Sequence, residues 1–118
     1  MSVQLAAVTF DCADAAKVAS FWAAVLEHPV DEGGSVDFAA IGLAEDNQRQ
    51  PAWLFIAVPE VKMAKNRFHP DLGTRDLPGE VERLLALGAT KLAEFDEGGT
   101  KWATLADPEG NELDIVQT

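Results

Sequence analysis

The chain has 118 residues, which fits one small domain, and its hydrophobic share of 47% is that of an ordinary globular protein. Its formal net charge of −11 argues against a nucleic-acid partner, which needs clustered Lys and Arg, and no apolar run approaches the length of a membrane span. The single cysteine, Cys12, excludes an internal disulfide and, with no signal-peptide pattern in residues 1–10, predicts a cytoplasmic protein.

The first half of the chain predicts a strand, a helix and three further strands. The helix covers residues 14–26, has Asp14 as its N-cap, and carries apolar residues at helical spacing: Val18, Phe21, Trp22 and Val25. A strand over residues 3–11 precedes the helix. Three strands follow it, over residues 29–31, 36–41 and 53–58. Trp22 and Trp53 are predicted to lie in the core.

The second half repeats the same plan. Its helix covers residues 76–88, with Asp76 at the N-cap, Pro78 in the first turn and Gly88 as the C-terminal stop. The two helices correspond at an offset of 63 residues, as between Val18 and Val81. The strands of this half are predicted over residues 67–72, 90–95, 101–105 and 112–116, and residues 59–66 link the halves.

The repeat defines the predicted fold class. A half of about 60 residues makes a marginal core alone, so the halves are expected to pair. We predict an α+β domain of two βαβββ modules, residues 1–60 and 61–118, whose curled, mostly antiparallel sheets surround a cleft. The sequence leaves open whether the modules pair within one chain or swap between two.

Three motifs resemble one known superfamily. They are Phe10-Asp-Cys-Ala-Asp14 with the helix that follows, the run over residues 61–72, and the turn Asp107-Pro-Glu-Gly-Asn111. In this order, on a duplicated plan, they resemble the vicinal oxygen chelate superfamily, which includes glyoxalase I, extradiol dioxygenases and bleomycin-resistance proteins. The resemblance implies a glyoxalase-like domain with a small-molecule site in its cleft.

The resemblance also implies where a divalent metal would bind. Enzymes of the superfamily commonly take one ligand from the first and last strand of each module, and these positions fall on Ala7, Ile56, His69 and Asp114. Ala7 and Ile56 have no donor atom, so no metal cofactor is expected, and His69 and Asp114 remain as candidate ligands. A third ligand would have to come from Asp71 or Asp11.

The remaining polar and aromatic residues suggest a binding surface. Arg67, His69 and Asp71 alternate along a predicted strand and should share one face, where His69 could act as a general base. The alternative is a solvated, salt-bridged cluster. Trp102 and Phe38 either form cleft walls or belong to the core. The predicted ligand-binding residues are Phe38, Ile56, Arg67, His69, Asp71, Trp102 and Asp114.

The linker between the halves carries Lys62, Lys65 and Arg67, three of the nine basic residues. These could contact an anionic ligand or the acidic surface of a second subunit, and the alternative is a solvated linker.

Three functions follow from these observations. The first is a metal-independent small-molecule-binding domain with a cationic or neutral aromatic ligand. The second is a lyase or dioxygenase-type enzyme with a metal at His69 and Asp114. The third is an interaction domain with a vestigial cleft, whose sheet edges mediate dimerisation. A homodimer is expected, with neither nucleic acid nor a membrane as a partner.

Overall fold

Two compact units make up the computed structural model, which describes residues 2–118. One unit ends at Val61 and the other begins at Lys62. Each contains one α-helix and one open, mixed sheet, and the described residues form seven strands in all. The predicted α+β class and its two repeated modules are confirmed. Neither helix in the described part is long and apolar enough to cross a membrane.

The first unit is built from β1 (Ala7–Cys12), α1 (Ala15–Leu26), β2 (Phe38–Ile41) and β3 (Ala52–Ala57). The strand order is β1-β3-β2, with β3 parallel to β1 and antiparallel to β2. The Asp14 carboxylate accepts a hydrogen bond from the Lys17 backbone N–H at 3.1 Å, so α1 begins at the predicted cap. A short 3₁₀ helix, Glu45–Asn47, lies between β2 and β3.

Aromatic side chains form the core of the first unit. Trp22 of α1 lies 5.3 Å from Trp53 of β3 and 5.0 Å from Phe10 of β1, measured between ring centroids. Phe10 in turn stacks on Phe55 at 5.2 Å. Trp22 and Trp53 are both buried, as predicted. Ile56, which follows the buried Phe55, points to the opposite face of the sheet.

Residues 29–31 form no strand, which corrects the sequence prediction. Instead of joining a ladder, Asp31 uses its carboxylate to accept hydrogen bonds from the backbone N–H groups of Gly42, Leu43 and Ala44, at 2.8–3.1 Å. The Asn47 side chain donates to the same carboxylate at 2.7 Å. A buried side chain therefore organises this loop, and its role is invisible to a period-two hydrophobicity pattern.

The second unit contains β4 (Asp71–Thr74), α2 (Leu77–Leu87), β5 (Thr90–Glu97), β6 (Thr100–Ala106) and β7 (Glu112–Gln117). The strand order is β4-β7-β6-β5, in which only the β4–β7 pair is parallel. Asp76 caps α2 by accepting from the Gly79 N–H, and Gly88 ends the helix with a left-handed φ of 116°. Both ends of α2 therefore follow the sequence prediction.

Side chains alternate between the two faces of the second sheet. Ala103, Leu105, Leu113 and Ile115 are buried, and α2 packs against their strands. The neighbours that point away from them are only partly buried: Trp102, Thr104, Asp114 and Val116. We call this second surface the open face. It is the face that carries the candidate site.

The strand predicted over residues 67–72 begins only at Asp71. Pro70 lacks a backbone N–H, although its carbonyl still accepts from the Asp114 N–H at 3.0 Å. Arg67 and His69 therefore precede the strand, and strand alternation cannot place them on one face with Asp71. The predicted grouping of Arg67 with His69 on that basis is wrong.

Candidate functional site

A polar cluster lies where β4 and β7 run side by side. Asp71 and Asp114 are register partners in this parallel pair. The Nδ1 atom of His69 is 3.0 Å from Asp71 Oδ1 and 3.7 Å from Asp114 Oδ2. These three residues each offer a ligand atom, and the three atoms lie within 4.8 Å of one another. The structure therefore brings together three of the predicted site residues, although His69 arrives from a loop.

Thr104 joins this cluster from the neighbouring strand. It is the register partner of Asp114 in the β6–β7 pair, and its hydroxyl donates to Asp114 Oδ1 at 2.7 Å. The sequence prediction missed Thr104, although it lies two residues from Trp102 and so shares a strand face with that predicted residue. We call His69, Asp71, Thr104 and Asp114 the polar cluster.

The hydrogen bonds of the polar cluster define the state of its imidazole. A carboxylate accepts hydrogen bonds, so Nδ1 of His69 carries the proton that it donates to Asp71. In the neutral ring the lone pair is then on Nε2, where it can accept a hydrogen bond or a proton from a ligand. The side chain of Asp114 is 15% exposed and that of Asp71 is 59% exposed, so Asp114 is the better shielded charge.

An aromatic pair lies beside the polar cluster. Trp102 and Phe95 are register partners in the β5–β6 hairpin, and their rings stack at 4.9 Å with an interplanar angle of 17°. Because Trp102 and Thr104 are two residues apart on β6, the pair shares the open face with the polar cluster. Phe95 is 38% exposed, and it is not among the ligand-binding residues predicted from the sequence. A surface cavity of 260 Å³ borders both aromatic residues, but its other lining residues are Leu77 of α2 and the alternating strand positions Glu94, Asp96 and Lys101, and its lining does not include the polar cluster.

The predicted residues of the first unit meet on a separate sheet. Phe38 and Ile56 are register partners in the β2–β3 pair, and their side chains are 41% and 39% exposed. Ile56 is also the partner of Asp11 across β1–β3. Phe38 borders a cavity of 180 Å³ that Leu43 and Ala39 also line. Both residues are therefore on the surface of the first unit, available to a ligand.

The backbone pairing of the strands corrects one of the four positions at which the superfamily resemblance implies a metal ligand. The N-caps Asp14 and Asp76 set an offset of 62 residues, which pairs Ala7 with His69. The last strands of the two units correspond at an offset of 60 residues. In the first unit the Val58 backbone N–H donates to the Cys12 carbonyl, and in the second the Thr118 backbone N–H donates to the Thr74 carbonyl in the same way. The counterpart of Asp114 in the first unit is therefore Leu54 and not Ile56. Leu54 and Ala7 both lack a donor atom, so the correction adds no metal ligand.

The basic residues of the linker behave differently from one another. The Lys62 and Lys65 ammonium groups lie 3.1 and 3.2 Å from the two carboxylate oxygens of Glu112, at the start of β7. Burial alone would raise the pKa of Glu112. The hydrogen bonds from the two lysines and from the Asn66 backbone N–H outweigh burial, so the pKa lies below its usual value. Arg67 is exposed and makes no ion pair within residues 2–118.

Comparison with known proteins identifies the family. A family model described as a glyoxalase-like domain matches residues 7–116, so the chain belongs to the glyoxalase-like domain family. This confirms the resemblance read from the three motifs. No curated protein matches the chain.

Solved structures share this fold across nearly the whole chain. A glyoxalase/bleomycin resistance protein/dioxygenase family enzyme from Burkholderia phytofirmans PsJN has 19% identity and a TM-score of 0.70, over 97% of this chain and 98% of that one. The fosfomycin resistance protein FosX from Listeria monocytogenes has 12% identity and a TM-score of 0.73, over 98% and 93%. A hypothetical protein, SA1046 from S. aureus, has 14% identity and a TM-score of 0.74, over 100% and 95%. At these identities the likeness concerns the fold alone.

Proposed function

We propose that this chain is a small-molecule-binding domain of the glyoxalase and bleomycin-resistance type, which works without a metal. The ligand lies on the open face of the second unit. The observation that carries this proposal is the placement of two carboxylates and a stacked aromatic pair on that one face, with Trp102 two residues from Thr104. Binding sites commonly combine apolar and aromatic walls with a few convergent polar groups.

The chemistry of the open face favours a planar, cationic aromatic ligand. Asp71 and Asp114 accept hydrogen bonds from N–H groups and attract positive charge, and the rings of Phe95 and Trp102 offer a stacking surface. The net charge of −11 favours the approach of a cation. His69 accepts a hydrogen bond through Nε2 and serves as a general base if the ligand reacts. Arg67 is proposed as a further ligand contact in the second unit, and Phe38 and Ile56 are proposed as ligand contacts on the sheet of the first unit.

A second candidate function is a metal-dependent lyase or dioxygenase-type enzyme. It is favoured by the three donors that lie within 4.8 Å, and a solved FosX variant from Listeria monocytogenes is described in complex with Mn(II). One imidazole and two carboxylates suit a divalent ion in kind. A metal there would be held by His69, Asp71 and Asp114 and would polarise a ligand oxygen. We favour the metal-free function because the corresponding positions of the first unit, Ala7 and Leu54, supply no donor.

A matched pair of probes tests the first function. N-methylacridinium and neutral acridine have the same ring system and differ in charge near neutral pH. We expect N-methylacridinium to bind more tightly than acridine by isothermal titration calorimetry. Amide chemical-shift changes in NMR spectra should then centre on residues 71, 102, 104 and 114. Absence of binding by either probe, or shift changes confined to other residues, would contradict the proposal.

Metal analysis separates the two candidate functions. We expect the protein to show no stoichiometric Mn, Fe, Ni or Zn after dialysis against each ion, by inductively coupled plasma mass spectrometry. Stoichiometric metal that is lost in His69→Ala but retained in His28→Ala would instead establish the metal-dependent candidate.

We also propose that the domain is a cytoplasmic homodimer. Light scattering coupled to size-exclusion chromatography measures the mass directly, and a monomer mass at all concentrations would contradict the dimer. Localisation of a fluorescent fusion in the source cell tests the compartment.

A further inference from the structure

His69 is placed by the loop that precedes β4 and not by the strand itself. β4 begins at Asp71, and the last backbone contact before it is the Pro70 carbonyl, which accepts from Asp114. The imidazole nevertheless reaches the carboxylates of Asp71 and Asp114. Because an exposed loop has many conformations in the absence of tertiary contacts, something else must hold residues 62–69 in place.

Glu112 makes the contacts that hold residues 62–69 in place. Its side chain is 9% exposed, and its carboxylate lies 3.1 Å from the Lys62 ammonium and 3.2 Å from the Lys65 ammonium. The same carboxylate accepts from the Asn66 backbone N–H at 3.4 Å. Three residues of the loop thus converge on one buried carboxylate. Charge-assisted contacts of this kind are stronger than neutral ones, particularly away from solvent.

Asn66 carries this anchoring toward the site. Its side-chain amide donates to the Phe68 carbonyl at 3.2 Å and to the Glu112 carbonyl at 3.5 Å. Phe68 is the residue directly before His69. Lys62 also donates to the Ala64 carbonyl, which tightens the start of the loop. A continuous set of contacts therefore runs from Glu112 to the backbone of the residue that precedes His69.

We propose that Glu112 is a positioning residue for His69, and that it holds the imidazole against Asp71 through Lys62, Lys65 and Asn66. The importance of His69 to a ligand rests on the proposed function, but its placement by Glu112 does not. Glu112 begins the strand that also carries Asp114. One strand therefore supplies both a carboxylate of the polar cluster and the anchor of the histidine that meets it.

The tautomer of His69 tests this proposal in the free protein. In the wild type, Asp71 holds the proton on Nδ1, so ¹⁵N NMR of the neutral ring should show one dominant Nδ1–H form. Glu112→Gln keeps the shape of the side chain but removes the charge that binds both lysines. We expect His69 to leave Asp71 in this variant and to show a mixture of both tautomers. His28→Gln in the background leaves His69 as the only imidazole in the chain, and its ¹⁵N signals are then assigned without overlap from a second histidine.

Two further variants decide the result. Glu80→Gln is the matched control, because it removes an ion pair with Arg83 on α2 and leaves the loop untouched. We expect its His69 signals to match the wild type. Asn66→Ala breaks the side-chain contacts without changing any charge, and it should also produce the tautomer mixture, which makes it the deciding variant if Glu112→Gln fails to fold. A folded Glu112→Gln or Asn66→Ala protein with the single Nδ1–H form would overturn the proposal.

The outcome is independent of the ligand test. A wild-type tautomer pattern in Glu112→Gln refutes the positioning role even if N-methylacridinium binds. Failure of N-methylacridinium to bind refutes the proposed function even if the tautomer changes as expected.

Discussion

Asp71 and Asp114 lie directly opposite each other on parallel strands, and both approach the same imidazole nitrogen, Nδ1 of His69. Two carboxylates at neighbouring ladder positions repel each other unless a positive charge or a donor lies between them. His69 supplies the donor in the free protein. A cationic ligand on the open face would be a second favourable partner for the two carboxylates.

Removal of either charge should weaken cation binding. We expect Asp114→Asn to raise the Kd of N-methylacridinium about tenfold, a loss of about 1.4 kcal/mol. Asp71→Asn should have a smaller effect, because its side chain is 59% exposed and solvent screens its charge. The Kd of neutral acridine should be nearly unchanged in both variants. Calorimetric titration measures all four values, and equal losses for both probes would argue against a charge-based role.

The stacked rings should contribute independently of charge. We expect Trp102→Ala to weaken both acridine and N-methylacridinium by about tenfold, because each probe loses a stacking surface worth about 1 kcal/mol or more. Trp102→Phe should retain most of the affinity. Because the side chain is partly buried, thermal unfolding of each variant is needed to show that the sheet is intact. Unchanged binding in a folded Trp102→Ala protein would remove the aromatic pair from the site.

Local signals in the sequence predicted the helices closely. Asp14 and Asp76 each accept a hydrogen bond from a backbone N–H three residues later, so the cap and the helix start are determined within one turn. The helical apolar stripe likewise predicted Trp22 in the core. Such features depend on residues close in sequence and can therefore be predicted without knowledge of the tertiary fold.

Features that depend on distant partners were not predictable in the same way. The contact of Glu112 with Lys62 joins residues 50 positions apart, and no local pattern marks it. The stacking of Phe95 on Trp102 depends on the β5–β6 register, which shifts at a bulge between Lys91 and Ala93. The family resemblance grouped His69 with Asp114, and the two side chains do lie close together. Strand alternation could not have placed His69, because β4 begins only at Asp71.

Asp31 should be a major source of stability in the first unit. Its buried carboxylate accepts from three backbone N–H groups and from the Asn47 amide. Asp31→Ala leaves these donors without their acceptor, and we expect the free energy of unfolding to fall by about 3 kcal/mol. Glu32→Ala is the matched control, since Glu32 is the exposed neighbour, and it should change stability by less than about 0.5 kcal/mol. Urea unfolding followed by tryptophan fluorescence measures both, and similar midpoints would contradict this role.

The contribution of Asp31 should also depend on pH in one direction. Burial alone would raise its pKa, but the hydrogen bonds from Asn47 and from the backbone of Ala44, Gly42 and Leu43 outweigh burial and lower the pKa below its usual 3.8. A carboxyl group whose pKa is lower in the folded state stabilises the fold fully above its unfolded pKa. That stabilisation is lost as the pH falls through the lower, folded pKa, because protons then bind the unfolded chain more strongly.

The comparison of wild type with Asp31→Ala isolates this effect, since the other carboxylates titrate in both proteins. We expect the stability difference between them to stay constant from about pH 7 to about pH 5 and to shrink below about pH 4, where the unfolded Asp31 begins to take up a proton. Urea unfolding at each pH gives the difference directly. A difference that grows on acidification would mean that Asp31 is stabilised in its protonated form, and that the N–H groups of the loop do not favour the carboxylate.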